Sequence, residues 1–123
     1  MTAPNLQPAP APTLSKAVVR AANLLGLPQA FLADVLGISR ATASRLVAGR
    51  YQLDPRRPKE WELGLLFVRL FRSLDALLGH EDQAQAWLRG PNAAFGRPPV
   101  EEIRTAEGLV RVIQYLDAVR GRV

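Results

Sequence analysis

The chain has 123 residues, 48% of them hydrophobic, and a formal net charge of +5. This length accommodates one compact core, or two small modules that share one. No stretch of about 18 apolar residues is free of charge, so the sequence predicts no membrane span. The absence of cysteine excludes disulfides and thiol catalysis and fits a reducing cytoplasm, where we expect the protein to act.

The positive charge is concentrated in one part of the chain. Residues 13–59 contain 8 cationic and 2 acidic residues, or +6, whereas residues 60–123 contain 8 arginines and 9 acidic residues, or −1. A local excess of cations attracts the phosphates of nucleic acid. The single histidine, His80, has too few neighbouring ligands for zinc, so we interpret it as a surface loop residue and expect neither a metal nor a cofactor.

The first 13 residues contain Pro4, Pro8, Pro10 and Pro12. So many prolines disfavour a helix or a sheet ladder, and there is no basic start followed by an apolar run, as a secretory signal would have. We therefore predict that residues 1–13 form a disordered tail.

A first helix is predicted to begin at a cap residue, Thr13 or Ser15, and to run to about Leu25, with Gly26 ending it. Its apolar residues recur on one face at helical spacing. These are Leu14, Val18, Ala21, Ala22 and Leu25.

Residues 27–49, LPQAFLADVLGISRATASRLVAG, predict two short helices joined at Gly37. Glycine permits a backbone turn that a β-carbon would obstruct, and Ser39 is placed to cap the second helix through its hydroxyl. Ile38 and Leu46 are expected to face inward. The pattern is typical of a DNA-binding helix-turn-helix, and an ordinary helical hairpin is the alternative interpretation.

The second of these helices carries small, polar and cationic side chains, the types that fit a major groove. The segment 50–59 holds two prolines and four cations and is expected to add phosphate contacts. Residues 14–58 are therefore assigned to a helix-turn-helix domain. Its predicted DNA-binding residues are Gln29, Ser39, Arg40, Ala41, Thr42, Ser44, Arg45, Arg50, Arg56 and Arg57.

Residues 59–78 predict a helix that is apolar on nearly all sides. Such a helix must be buried on most sides, so we expect it to be the central helix of the domain, part of a subunit interface, or both. A homodimer would also match two half-sites on DNA. The predicted dimer contacts are Trp61, Leu65, Phe67, Leu70 and Phe71.

The remaining residues predict further helices. Glu81 to Arg89 form a short helix with its apolar residues inward, Pro99 opens a helical turn, and Thr105 caps a last helix that ends at Gly121. No strand pattern appears, so the fold class is predicted to be all-α.

Two smaller features carry interpretations that the structure can test. Gly108 lies inside the last helical pattern at a cost of about 1 kcal/mol relative to alanine. This suggests close packing of the helix against Trp87 or the long helix. The adjacent pair Glu101 and Glu102 points in two directions on a helix and is interpreted as a solvated face.

The C-terminal half carries a characteristic order of residues, which are Ala86-Trp87-Leu88, Pro91-Asn92, Phe95-Gly96, Pro98-Pro99, Thr105, Glu107-Gly108, Val112 and Leu116. With these residues it resembles the toxin-binding domain of Xre/MbcA/ParS antitoxins, and the resemblance covers residues 14–123. Trp87 and Leu88 have a structural interpretation as core residues, and Pro91 and Asn92 as a helix stop and turn.

This resemblance implies an antitoxin whose residues 59–123 dimerise and bind a RES-domain toxin. Toxins of that family consume NAD, by ADP-ribosyl transfer or by phosphorolysis. We expect the end of the last helix and the loop before it to cover the active site of the toxin. A frayed terminus is the alternative for the tail. The predicted toxin-binding residues are Arg89, Asn92, Phe95, Arg111, Tyr115, Arg120, Arg122 and Val123.

Competing functions are distinguished by what the sequence lacks. Paired carboxylates, a nucleophile constellation and a glycine-rich phosphate loop are all missing, so we expect no enzyme. A stand-alone transcriptional repressor, whose C-terminal helices only dimerise, is the main alternative to an antitoxin. A regulator that binds a small ligand is a third interpretation, but no polar pocket residues are evident.

Overall fold

The computed structural model describes residues 10–79 and 81–121. Within these ranges the chain forms seven helices and no strand, which confirms the all-α prediction. They are α1 (Pro10–Leu24), α2 (Gln29–Leu36), α3 (Arg40–Val47), α4 (Pro58–Leu78), α5 (Glu81–Arg89), α6 (Pro99–Glu102) and α7 (Ala106–Arg120).

The predicted start of the first helix is wrong, because α1 begins at Pro10 and places Thr13 and Ser15 inside it. Proline is tolerated in the first turn, where its missing N–H would have no partner in the helix. Residues 10–13 are therefore helical, and the rest of the predicted tail, residues 1–9, lies outside the described residues. The apolar face of α1 is buried as predicted.

Ser15 has a different role from the predicted cap. Its buried hydroxyl donates to the carbonyl of Ala11 at 2.7 Å and accepts the backbone N–H of Leu53 at 2.9 Å. Leu53 is fully buried, and an added β-carbon at Gly64 of α4 would lie 2.8 Å from the Leu53 side chain. Ser15 and Gly64 together hold the segment after α3 against the core.

Both predicted signals of the turn between α2 and α3 are confirmed. Gly37 ends α2 with φ +66°, a left-handed conformation that favours glycine. Ser39 caps α3 by accepting the backbone N–H of Thr42 at 3.0 Å, which satisfies a donor that the helix leaves free. Leu46 is buried and Ile38 half-buried, so one face of α3 packs against the core.

The long helix α4 lies at the centre of the fold and contacts α1, α2, α5 and α7. Phe67, Leu70 and Leu74 are fully buried, but Leu65 remains 48% exposed. The buried apolar side chains of both halves form one cluster, so the halves share a single core. Among the described helices, none combines the length and the apolar character that a membrane crossing needs.

The C-terminal helices are positioned by caps and one close backbone approach. Thr105 caps α7 by accepting the N–H of Gly108 at 3.0 Å, and Gly121 follows its last residue, both as predicted. The predicted neighbour of Gly108 is wrong. An added β-carbon there would lie 1.9 Å from the carbonyl oxygen of Glu102, because the end of α6 touches α7 at that point.

Two candidate binding surfaces

The exposed side of α3, hereafter the α3 surface, carries Arg40, Ala41, Thr42, Ser44 and Arg45. All are exposed except Thr42, which is half-buried. The Thr42 hydroxyl oxygen accepts from the Ser39 hydroxyl at 2.9 Å and from an Nη of Arg45 at 3.1 Å. The helix cap therefore orients Arg45 along the face that the sequence assigned to DNA. Gln29, at the start of α2, is also exposed.

The cations after α3 differ in how they are engaged. Arg50 is exposed and, like Arg40, has no side-chain partner within the described part of the chain. Arg56 pairs with Asp54 at 3.0 Å, and this hydrogen bond holds the pKa of Asp54 at about 2. Arg57 pairs with Glu60 at 2.7 Å. From the sequence, Arg50, Arg56 and Arg57 had all been predicted to contact phosphates.

Tyr51 completes the environment of Arg57. The guanidinium carbon lies 4.9 Å from the centre of the Tyr51 ring, within the range of a cation–π contact. The Tyr51 hydroxyl donates to Glu60, and its pKa is raised, first by desolvation and then by that hydrogen bond. Arg57 is thus fixed in place, whereas Arg50 is free to follow a partner.

Three aromatic side chains meet at the surface of the C-terminal half. Tyr115 of α7 stacks on Trp87 of α5, with ring centres 6.2 Å apart, and Phe95 meets its ring edge-on at 5.3 Å. Tyr115 is 36% exposed, and Trp87 and Phe95 are half-buried. We call these three residues the aromatic surface. The interpretation of Trp87 as a core residue is corrected, because its ring lies at the core margin.

The loop before α6 is shaped by Asn92, whose Oδ1 accepts the N–H of Ala94 at 2.9 Å. This Asx-type turn carries the chain toward Phe95. Of the predicted toxin contacts, Asn92, Phe95 and Tyr115 therefore belong to one region of the surface.

A buried carboxylate, Glu102, ties the end of this loop to α7. Arg97 Nε donates to its Oε1 at 2.6 Å, and Arg111 donates to its Oε2 at 2.9 Å. The Glu102 side chain is only 6% exposed, and the Arg97 hydrogen bond lowers the pKa of its carboxyl group despite the opposing desolvation. The solvated-face interpretation is thus wrong for Glu102, although Glu101 is exposed.

Arg111, predicted to touch a toxin, is also paired within its own helix. Its Nη1 donates to Glu107 at 3.1 Å, one turn earlier in α7. The guanidinium remains half exposed, so a partner can still reach it. The Glu107–Arg111 pair was predictable from its four-residue spacing in the helix. No local sequence pattern, however, connects either residue to Glu102.

Polar side chains that follow α4 also reach the helix-turn-helix half. Gln85 donates to the carbonyl of Leu24 at 3.0 Å, and Arg89 to that of Gly26 at 2.8 Å. Arg104 lies 3.5 Å from Asp34 and over the ring of Phe31. Arg89 was predicted as a toxin contact, and here it bonds the turn between α1 and α2.

The end of α7 is held against α4. Arg120 donates to the buried hydroxyl of Ser73 at 3.2 Å, and Arg69 pairs with Asp117. The side chain of Arg120 is therefore anchored to α4, although the residue stays exposed. Arg122 and Val123, the last two predicted toxin contacts, lie outside the described residues.

The predicted dimer residues separate into two groups. Phe67 and Leu70 are completely buried within the chain, so their side chains are not available to a partner, and the prediction is corrected for them. Leu65 is exposed, and Trp61 and Phe71 are half-buried. In residues 10–79 and 81–121 no group of three or more histidine, cysteine or acidic side chains could hold a metal ion, and His80 lies outside these ranges.

Two family models match successive parts of the chain. The sequence model of the antitoxin Xre-like helix-turn-helix domain matches residues 4–69. The model of the antitoxin Xre/MbcA/ParS C-terminal toxin-binding domain matches residues 73–122. No curated protein sequence gives a significant match.

The fold and the α3 surface define a helix-turn-helix protein with an appended helical unit. With both family models matching in order, the chain belongs to the Xre/MbcA/ParS antitoxin family. Among solved structures it is similar to a chain in the crystal structure of the M. tuberculosis MbcT–MbcA toxin–antitoxin complex. The two are 29% identical with a TM-score of 0.65, and the match covers 89% of this chain and 96% of the other.

Proposed function

We propose that this protein neutralises a RES-domain, NAD-consuming toxin by covering the active site of the toxin, and represses its own promoter by binding operator DNA. The observation that carries the first part is the aromatic surface, which lies within the residues matched by the toxin-binding domain. Partly exposed aromatic side chains supply much of the binding energy at protein interfaces. The protein acts by binding rather than by catalysis.

The toxin contact extends from the aromatic surface along one side of α7. Tyr115 and Arg111 lie one turn apart, and Tyr115 contacts Phe95 of the preceding loop, which also contains Asn92. Guanidinium groups pair well with a catalytic carboxylate, so Arg111 and the end of the chain, Arg120 to Val123, are the candidates for the mouth of the active site. Arg89 contributes only if it leaves the carbonyl of Gly26.

The α3 surface supports operator binding. Arg45, Arg40 and Ser44 are exposed on the helix that reads base edges in helix-turn-helix proteins, while Gln29 and Arg50 are placed to meet phosphates. We propose a homodimer on two half-sites, acting in the cytoplasm.

Co-purification with the product of the adjacent gene tests the toxin assignment. Tyr115→Ala should lower toxin affinity by at least tenfold, since it removes the central ring of the aromatic surface. Val110→Ala is the matched control, because Val110 is 37% exposed on the opposite side of α7. If the wild-type protein binds no adjacent gene product and still binds its promoter, it is a stand-alone repressor.

A truncation tests the role of the tail. Deleting residues 120–123 should leave DNA binding intact and reduce protection of a cell that expresses the toxin. Full protection and native toxin affinity in the truncated protein would show that occlusion comes from elsewhere.

A further inference from the structure

One side of α4 is left uncovered by the other residues that the structure describes. Leu65 is the most exposed large hydrophobic side chain in the described residues, at 48%. It borders a groove of about 550 Å³ between α1 and α4, where it lies with Trp61 and Val68 of α4 and Leu14 and Ala17 of α1. An exposed apolar strip with a groove beside it suits a protein partner.

The charges on this strip are separated along the helix. At about 100° per residue, Trp61, Glu62, Leu65, Val68 and Arg69 all fall on the same side of α4. Acidic Glu62 precedes Leu65 by about one turn, and basic Arg69 follows it by about one turn. Trp61 and Val68 lie on one edge of the strip, and Glu62 and Arg69 on the other.

We propose that two copies of the chain pack α4 against α4 in antiparallel orientation, with Leu65 on the two-fold axis. With a rise of about 1.5 Å per residue, Glu62 lies about 4.5 Å from the axis on one side and Arg69 about 6 Å on the other. The two-fold rotation therefore brings Glu62 of each copy beside Arg69 of the second copy. It also brings Trp61 beside Val68 and Leu65 onto itself.

This arrangement is self-complementary, as an isologous interface requires. In a parallel pair, by contrast, the charged edge of each copy would face the apolar edge of the second. Glu62 would then lie beside Trp61 and Arg69 beside Val68, and neither charge would gain an opposite partner. Glu62 has no partner of its own within the part of the chain that the structure describes. Arg69 is already held by Asp117 of α7, and its side chain stays 60% exposed. The pair would thus extend an ion network across the axis.

The inference rests on the proposed function, which calls for a dimer, and adds the residue at its axis. The groove beside α1 would then receive the apolar edge of the second α4. The aromatic surface lies on other elements and is left free for a toxin.

A cysteine at the axis tests the geometry, since the chain contains no cysteine. Leu65→Cys should give a covalent dimer within minutes of mild oxidation, because the two sulfurs meet on the axis. Ala76→Cys is the matched control. It is exposed on the same strip but about 33 Å from its symmetry mate, so it should stay monomeric under denaturing conditions. A Leu65→Cys protein that does not cross-link, or an Ala76→Cys protein that cross-links equally, would overturn the proposal.

Charge reversal gives a second test, which does not depend on whether any single variant folds correctly. Glu62→Arg and Arg69→Glu should each weaken self-association at least tenfold, because each places like charges across the axis twice. Mixing the two variants should restore a dimer, in which both pairs are again opposite in sign. Sedimentation of the separate and mixed proteins measures this, and no gain on mixing would contradict the arrangement.

These outcomes are distinct from failure of the proposed function. A protein that binds toxin and operator but does not cross-link at Leu65 overturns the axis alone. One that cross-links at Leu65 but binds neither partner supports the axis and overturns the function.

Discussion

In the helix-turn-helix half, Arg40 and Arg50 extend to solvent without a side-chain partner in the described residues. In the C-terminal half, Arg97 and Arg111 close on the same buried carboxylate of Glu102. These arginines are therefore available to a ligand in the first case and fix the backbone in the second, and Arg56 and Arg57 show that the first half also contains paired arginines. Net charge alone does not distinguish the two cases, so each arginine must be examined with its partners.

The glycines also differ in how closely their surroundings pack. An added β-carbon at Gly49, after α3, would meet nothing within 4 Å. In the C-terminal half, Gly108 lets α7 approach the end of α6 to van der Waals distance. We expect the largest effects of substitution where this approach is blocked.

Gly108→Ala should therefore lower the free energy of unfolding by about 3 kcal/mol, since the new methyl group would collide with a backbone oxygen that cannot move alone. Urea denaturation followed by circular dichroism measures it. Gly121→Ala is the control, because its β-carbon would lie 3.4 Å from the nearest atom, an ordinary contact. Equal stability of the two variants would contradict the close approach.

The Glu102 cluster should make the C-terminal half sensitive to acid. Because the pKa of Glu102 is lower in the folded chain than in the unfolded one, the unfolded chain binds more protons in acid. The contribution of Glu102 is thus present above the ordinary glutamate pKa and lost as the pH falls through the folded value. Glu102→Gln should flatten the dependence of stability on pH in this acidic range, as measured by thermal melts. An unchanged dependence would show that the carboxylate is not ionised in the folded protein.

The smallest predicted effect separates the free from the paired cations near α3. Arg50→Ala should reduce the slope of log K against log salt for operator binding by about one. Arg57→Ala should reduce it less, because Arg57 is neutralised by Glu60. Arg50→Lys, which retains the charge, is the control and should keep the slope. Equal slopes for the two alanine variants would mean that pairing does not matter on DNA.

Local signals in the sequence were sufficient for much of the fold. Ser39 and Thr105 act within one helical turn of themselves, and Gly37 acts on its own backbone, so their roles follow from a few neighbouring residues. The start of α1 was missed for a related reason. Prolines read as helix breakers are acceptable in the first turn, and only the packing of that turn decides between the two.

Contacts between distant residues could not be predicted in this way. Glu102 meets Arg97 and Arg111 from separate elements, and Arg104 finds Asp34 in the other half of the chain. No periodicity relates these positions, so a carboxylate that reads as solvated becomes buried when α6 and α7 pack. The same limit applies to Phe67 and Leu70, which no pattern could assign to the core rather than to an interface.

The central claim is that one chain carries two separate binding surfaces, and it is tested most directly by titrating Arg45→Ala and Tyr115→Ala against both operator DNA and the toxin. Arg45→Ala should lose about 1–3 kcal/mol of operator binding, relax specificity at one base pair, and keep its toxin affinity. Tyr115→Ala should lose toxin affinity and bind the operator like the wild type. If either variant weakens both partners equally, or if Arg45→Ala binds every sequence as before, the assignment of the two surfaces is wrong.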